Sequence, residues 1–187
     1  MNLPCLPFYM IRHGETIANQ KDIAAGAVDT PLTEHGIHQA LDAQKNLSKL
    51  PVPPTAIFLT PLSRARDTAR ILNEPLNLPL FEEPLIAERS FGRWAGEPLP
   101  AVLDQIRQGV TPPEGESTTA FYTRALKGME KILHTSQPPV LIVTHGGVFD
   151  AFFDSHSQHL PEMTVENGVL YAFSPTSGPF PWRWERI

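Results

Sequence analysis

Two histidines and two arginines are the residues of this chain best suited to chemistry. Arg12 with His13, Arg64 and His145 each stand at or shortly after the end of a short apolar run. Arginine holds phosphate through a planar fork of donors and keeps its charge. A neutral imidazole can attack phosphorus, and a second one can stabilise charge on the oxygens of a transferring phosphoryl group. These residue types therefore predict a phosphoryl-transfer site, provided that the fold brings them together.

Cleavage of a phosphate ester also needs a proton for the departing alkoxide. Glu88 is a candidate donor, because it follows a strand-like run and a carboxylic acid can do this work. Neighbouring cations disfavour imidazolium, so we expect the attacking histidine to be neutral near pH 7. Gly14, directly after His13, is expected to permit close backbone approach and an unusual φ. A helix that begins after a His-Gly pair would aim backbone N–H groups at an anion.

The elements that must position these residues alternate between strands and helices. Apolar runs and two-residue alternation predict strands at 7–12, 56–60, 80–87, 139–144, 168–174 and 181–187. Apolar residues that recur on one side of a helix, together with helix-start residues, predict helices at 33–50, 62–72, 100–108, 118–133 and 148–153. Pro84 restricts its segment to an edge strand or two short pieces.

This order predicts an α/β fold, a three-layer α/β/α sandwich with a mostly parallel central sheet and a small lid. Ligands of such sheets bind beyond the carboxyl ends of the strands. We therefore expect the two histidines and two arginines to meet at one edge of the sheet. The length of 187 residues fits a single domain over 1–187, with lid-like excursions around 88–117 and 150–167.

Composition narrows the class of protein. The formal net charge of −5 argues against general nucleic-acid binding, which needs a basic surface. Residues 1–11 are apolar but too short to span a bilayer and lack the features of a signal peptide, and no membrane contact is expected. Cys5 is the single cysteine, which excludes an internal disulfide framework and a cysteine-based zinc site. A cytoplasmic location agrees with this cysteine usage.

Motifs spread across residues 7–150 resemble, in sequence and in order, the signature of the histidine phosphatase superfamily, the phosphoglycerate mutase-like proteins. The matching blocks are RHGET at 12–16 with Asn19, GAVDTPLTEHG at 26–36, SRA at 63–65, ERSFGRWAG at 88–96, GES at 115–117 and THGGV at 144–148. A lone RHG tripeptide would be a weak signal, whereas the ordered set is specific.

The resemblance implies a phosphomonoester hydrolase that works through a phosphohistidine intermediate on His13. Glu88 falls on the position of the proton donor, which would later activate water. The resemblance places further residues around the phosphate, namely Arg12, Asn19, Arg64, His145 and Gly146. It implies a small phosphorylated substrate as the partner, and neither a metal nor a cofactor.

Three other functions would use some of the same residues. A 2,3-bisphosphoglycerate-dependent phosphoglycerate mutase must shield its phosphoenzyme from water, and its relatives carry longer insertions than this chain has between Glu88 and His145. A non-catalytic phospho-ligand binding protein would lack the nucleophile or the acid. A zinc site formed by His13 and His145 lacks the short ligand spacings typical of zinc.

Several positions leave the substrate open. Ala25, Ala95 and Asp150 depart from the family pattern near the expected rim of the pocket. Glu114 and Glu116 are expected to be solvated or to line the pocket mouth. The strand that contains Trp182 is expected to be exposed, and it could pair with a second chain to form a homodimer.

Overall fold

The computed structural model describes residues 3–156, 165–177 and 181–187. Its centre is a six-stranded sheet in the order β3-β2-β4-β1-β5-β6. The strands are β1 (Phe8–Arg12), β2 (Ile57–Leu59), β3 (Leu80–Glu82), β4 (Leu141–Thr144), β5 (Leu170–Pro175) and β6 (Trp182–Arg186). The first four pair in parallel, whereas β5 and β6 are antiparallel additions beside β1. The predicted, mostly parallel α/β sheet is confirmed.

Helices cover both faces of this sheet. They are α1 (Ile17–Gln20), α2 (Glu34–Asn46), α3 (Ser63–Asn73), α4 (Leu99–Arg107), α5 (Thr118–Thr135) and α6 (Gly146–His156). Apolar residues of α2 and α3 pack with one face of the sheet, and those of α5 and α6 form a second core on the other face. Two cores separated by one sheet make the three-layer sandwich that the alternating pattern predicted.

The central pair of strands sets the position of the site. Every residue of β4, and all of β1 before Arg12, is buried, which explains their continuous apolar character. The two strands are parallel, and Arg12 lies beside Thr144. His13 and His145 are therefore the next residues of neighbouring strands, beyond the same edge of the sheet.

The strand expected over 80–87 is shorter in the structure. β3 ends at Glu82, and a 3₁₀ turn over Pro84–Ile86 follows, in which the Glu83 side chain accepts a hydrogen bond from the Leu85 backbone N–H. Proline cannot donate to a sheet, so the chain leaves β3 before Pro84. β3 is an edge strand, as the proline indicated.

β6 is a half-buried edge strand, as the alternation of tryptophan with charged residues predicted. Trp182 lies at its start, and the indole packs against Phe8 and Phe152 and is 1% exposed. Burial follows because the first residue of β6 faces the second core. Any pairing of β6 with another chain would use the strand edge rather than this side chain, and the homodimer stays a prediction.

The segment 88–117 leaves the sheet and contains a 3₁₀ turn (Gly92–Trp94) and α4. It has a small core of its own, formed by Phe91 and Val102 against Ala24. Backbone hydrogen bonds join Ala24 to Glu97 and to Gly96. This excursion therefore packs on the loop that follows α1.

Of the excursion expected at 150–167, residues 150–156 continue helix α6, and 157–164 lie outside the described residues. No helix among the described residues is long and apolar enough to cross a membrane.

Candidate active site

His13 lies at the end of β1 with its ring fixed by two hydrogen bonds. Nδ1 lies 2.7 Å from the Gly14 carbonyl oxygen, and Nε2 lies 3.2 Å from Nε of Arg64. A carbonyl only accepts and a guanidinium only donates, so Nδ1 carries the proton and Nε2 presents its lone pair. This tautomer leaves Nε2 as the nitrogen that can attack.

The charge state of His13 follows from its surroundings. The ring is 4% exposed. Burial lowers its pKa well below the ordinary value, and the positive charges of Arg64 and Arg12 lower it further. His13 is therefore a neutral imidazole at pH 7, which is the nucleophilic form.

His145 lies beside His13 at the end of β4. The two ring centroids are 5.0 Å apart, and the ring planes are steeply inclined. Nε2 of His145 is 2.9 Å from the Thr60 hydroxyl, while Nδ1 is buried without a hydrogen-bond partner among the described residues. Burial, followed by the charge of Arg64, lowers its pKa well below the ordinary value. A buried polar nitrogen without a partner is costly unless a ligand completes it.

Arg64 reaches the two rings from the first turn of α3. It is 2% exposed, and its Nη1 and Nη2 donate to the carbonyl oxygens of Val28 and Gly26, at 3.0 and 2.6 Å. The Oδ1 atom of Asp29 lies 3.9 Å from Nη1 of Arg64, but the Asp29 side chain is half-exposed. Burial lowers the pKa of Arg64, and the charge of Glu88 opposes this. The loop that contains Gly26 and Val28 thus fixes the direction of the guanidinium.

Arg12 is the second positively charged residue near the two histidines. Its Nη1 donates to the Val165 carbonyl oxygen at 2.7 Å, and its buried Nε has no hydrogen-bond partner among the described residues. Burial lowers its pKa, while Glu88 and Asp150 raise it. A Cβ atom on Gly146 would lie 3.6 Å from Cζ of Arg12, so the start of α6 packs on this guanidinium. A guanidinium group with a buried nitrogen that lacks a partner suits an anion, and the buried Arg64 adds a second positive charge.

Glu88 lies against the first turn of α6. Its Oε1 accepts from the Arg89 backbone N–H at 2.8 Å, and its Oε2 accepts from the Gly147 backbone N–H at 3.3 Å. A Cβ on Gly147 would come within 2.5 Å of Oε1. Glycine at 147 is therefore what allows the carboxylate to approach the helix.

Asn19 lies one turn after Thr16, and together they form a capping box for α1. Its Oδ1 accepts from the Thr16 backbone N–H at 3.1 Å and from the Thr16 hydroxyl at 2.9 Å. Asn167 donates to the His13 carbonyl oxygen at 2.8 Å and to Oδ1 of Asn19 at 3.4 Å. These bonds use the oxygen of the Asn19 amide and leave its NH₂ group outside the cap.

Gly14 is required for close approach rather than for an unusual φ. It does not have a positive φ, so that expectation was wrong. A Cβ at Gly14 would lie 2.2 Å from the Gly36 carbonyl oxygen, because the loop after β1 presses directly on α2. The Gly14 N–H also donates to the Thr68 hydroxyl at 3.1 Å, which ties the loop to α3.

A partly exposed clamp, formed by Arg124 and Glu116 and bound to the chain before Glu88, was not predicted from the sequence. Arg124 of α5 donates to the carbonyl oxygens of Leu85 and Ala87, at 2.7 and 3.1 Å, and pairs with Glu116 at 2.7 Å. Glu116 also accepts from the Ser90 backbone N–H at 2.9 Å. Glu116 is therefore not a freely solvated carboxylate but is held in this clamp, and its position at the pocket mouth stays a prediction.

Three further residues contact a predicted site residue or its neighbour, although the sequence assigned them no role: Thr60, Thr68 and Asn167. Thr60 ends a predicted strand, Thr68 follows the SRA block as part of the family pattern, and Asn167 precedes a predicted strand. These positions are the signals that could have marked them. In residues 3–156, 165–177 and 181–187, no group of three or more His, Cys, Asp or Glu side chains could hold a metal ion.

Comparison with known proteins places this geometry in context. The model of the histidine phosphatase superfamily (branch 1) matches residues 8–182. The phosphatase PhoE of Bacillus subtilis (strain 168), itself uncharacterized, is 31% identical over 155 residues, which is 82% of this chain and 79% of PhoE. A Yersinia pestis (strain Pestoides F) protein named "Probable phosphoglycerate mutase GpmB" is 30% identical over 154 residues, which is 75% of this chain and 70% of that protein.

A mycobacterial glucosyl-3-phosphoglycerate phosphatase, solved in complex with VO₃, shares the fold. It has a TM-score of 0.77 and 26% sequence identity, and the match covers 97% of both chains.

Proposed function

Because the chain belongs to branch 1 of the histidine phosphatase superfamily, we propose that it hydrolyses small phosphomonoesters through a phosphohistidine intermediate on His13. The observation that carries the proposal is the neutral, buried His13 ring, which accepts a hydrogen bond from the buried Arg64, with the charges of Arg12 and Glu88 acting on the same site. Neutral imidazole supplies the electron pair, the arginines take the phosphate charge, and the carboxyl group handles the proton.

The substrate phosphate binds between Arg12, Arg64 and His145. The Arg12 Nε and the His145 Nδ1 lack hydrogen-bond partners in the described part of the chain, and phosphoryl oxygens complete them. If the Thr60 hydroxyl donates to Nε2 of His145, the proton of that neutral ring is on Nδ1. The Nδ1–H group then donates a hydrogen bond to a phosphoryl oxygen. Asn19 offers the NH₂ group that its capping box does not use, and Gly146 packs on Arg12 at the edge of the same anion.

In the first step, the Nε2 lone pair of His13 forms the N–P bond as the bond from phosphorus to the ester oxygen breaks. Glu88, entering as the carboxylic acid, gives its proton to the departing oxygen and becomes a carboxylate. In the second step, this carboxylate takes a proton from water, whose oxygen attacks phosphorus. The N–P bond breaks, inorganic phosphate leaves, and Glu88 is again protonated.

A phosphoglycerate mutase is the second candidate, because one relative that is 30% identical carries that name. The two activities share the first step and differ in whether water or a second substrate oxygen receives the phosphoryl group.

One assay decides between them. Purified protein is incubated with p-nitrophenyl phosphate and with 3-phosphoglycerate, and inorganic phosphate and 2-phosphoglycerate are measured. We expect release of phosphate to exceed isomerisation, and we expect His13→Ala to abolish both activities. Fast isomerisation with slow release of phosphate would contradict the hydrolase assignment, and no turnover at all would favour a binding protein.

A further inference from the structure

Helix α6 carries a line of acidic residues away from the candidate phosphate pocket. Gly146, Asp150 and Asp154 are spaced four residues apart, so they occupy one face of the helix. Gly146 is the residue that packs on the Arg12 guanidinium. Asp150 is therefore one turn, and Asp154 two turns, further from the phosphate-binding end.

Contacts at both ends fix the direction of this face. At its start, the Gly147 N–H donates to Glu88, and the position of a Gly147 Cβ is 3.0 Å from the Phe121 ring. At its far end, the Tyr122 hydroxyl donates to Asp154 at 2.6 Å. The face between these contacts holds Asp150, whose side chain water can reach.

The path of a substrate follows from the proposed chemistry, on which this inference rests. The phosphate occupies the arginines and the two histidines, and the ester oxygen must meet Glu88 to receive its proton. The alcohol part then continues outward from Glu88, along the face of α6 that carries Asp150. The side chains on this face of α6 therefore decide which alcohol groups the site accepts.

Charged side chains from several segments surround Asp150. Glu88 and Asp154 are acidic, Arg12 and Arg107 act in the opposite sense, and the neutral Tyr122 hydroxyl is hydrogen-bonded to Asp154. Although water reaches the carboxylate, the surrounding chain removes part of its hydration, and this together with Glu88 and Asp154 raises the pKa of Asp150 to about 7. Above neutral pH, the face of α6 next to the leaving group therefore carries a negative charge.

We propose that Asp150 selects substrates by the charge of their alcohol part: it excludes phosphomonoesters with a second anionic group and favours those with an amine. A carboxylate or second phosphate beside Glu88 and Asp150 meets like charge in a partly dehydrated site, whereas an ammonium group gains an ion pair. Two unit charges about 6 Å apart at a position that water reaches, where the effective dielectric constant is about 40, change a rate by on the order of tenfold. Asp150 is thus a specificity-determining residue, outside the bond-breaking machinery.

A series of two-carbon esters tests this charge rule directly. Phosphoethanolamine, ethylene glycol monophosphate and 2-phosphoglycolate carry a cationic, a neutral and an anionic end. Their kcat/KM values are measured at pH 8 for the unchanged protein and for Asp150→Asn. Esters that turn over too slowly are compared by their inhibition constants against p-nitrophenyl phosphate. Ratios between the two proteins cancel the intrinsic reactivity of each ester.

We expect Asp150→Asn to raise the value for 2-phosphoglycolate relative to ethylene glycol monophosphate by about tenfold, and to lower that for phosphoethanolamine by a similar factor. The control is Asp42→Asn, which removes an exposed carboxylate paired with Lys45 on α2 and should leave the ratios unchanged. Ratios that are equal in the unchanged protein and in Asp150→Asn would overturn the charge rule while the phosphatase assignment stands.

The pH dependence supplies a second arm. In the unchanged protein, discrimination against 2-phosphoglycolate should increase between pH 6 and 8 as Asp150 ionises, whereas in Asp150→Asn it should stay constant. A constant ratio in both proteins would contradict the inference. If even p-nitrophenyl phosphate is not hydrolysed, the proposed function fails, and the substrate rule fails with it.

Discussion

At the scale of single residues, the site separates two roles by the environment of each group. His13 and His145 are buried beside cations, and this keeps both rings neutral at physiological pH. Glu88 accepts hydrogen bonds from the backbone N–H groups of Arg89 and of Gly147 at the start of α6, and we propose it as the separate group that protonates the departing oxygen. A neutral nucleophile and a separate acid are what hydrolysis of an ester with a poor leaving group requires.

Replacement of the acid tests this separation. We expect Glu88→Gln to lower kcat/KM for alkyl phosphates by roughly 10²–10³ and for p-nitrophenyl phosphate by only a few-fold, because a good leaving group needs little proton donation. kcat/KM is the quantity to compare, since it reports the first step, whereas kcat also includes attack by water. The control is Glu82→Gln, which removes an exposed carboxylate of β3 that is paired with Arg66. Equal losses for both esters would remove Glu88 from the role of acid.

At the scale of elements, parallel pairing of β1 and β4 brings the histidines together, and α3 adds Arg64 beside them. The segment with Glu88 belongs to no helix or strand, so its position depends on side chains from other elements. Arg124 of α5, supported by Glu116, holds the carbonyl oxygens that precede Glu88. The clamp is therefore a positioning device for the acid.

Loss of the clamp should affect the acid and spare phosphate binding. We expect Arg124→Gln to lower kcat/KM for alkyl phosphates on the order of tenfold more than for p-nitrophenyl phosphate, and to raise KM little. Lys127→Gln, at an exposed position of the same helix, is the matched control. A uniform loss across leaving groups, with a lowered Tm, would show that Arg124 acts on stability alone.

The same elements explain what could be predicted from the sequence. β1 and β4 were evident because strands buried on both faces read as continuous apolar runs, and the His-Gly pairs at their ends marked the site. The clamp escaped prediction because Arg124 binds mainly backbone carbonyl oxygens, which leave no side-chain pattern. β3 was overestimated because the turn after Glu82 is stabilised by a local Glu83 cap, which an extended apolar run conceals.

At the scale of the whole molecule, a chain with a formal net charge of −5 has a site with two guanidinium groups, the buried Arg64 and the partly buried Arg12. Local charge governs contact with phosphate, and the surface charge does not prevent it. The site also affects stability, because folding keeps two imidazoles neutral that would bind protons in the unfolded chain.

Stability should therefore depend on pH in a defined direction. The folded pKa values of His13 and His145 lie below 6.5, so their contribution is complete above pH 6.5 and is lost as the pH falls below it. Each histidine should lower the free energy of unfolding by about 1.4 kcal/mol per pH unit there, and Asp150 opposes this trend because its pKa is raised. Denaturant titrations in phosphate-free buffer measure the slope. It should decrease in His13→Asn, and an unchanged slope would contradict burial of a neutral ring.

The most direct test of the central claim is chemical trapping of the intermediate. The protein is mixed with ³²P-labelled substrate and denatured within milliseconds, and the label is followed through base and acid treatment. The account predicts label that resists base, is lost in acid, maps to the peptide with His13, and is absent from His13→Ala. Rapid release of phosphate with no label on the protein, or label on another residue, would contradict it.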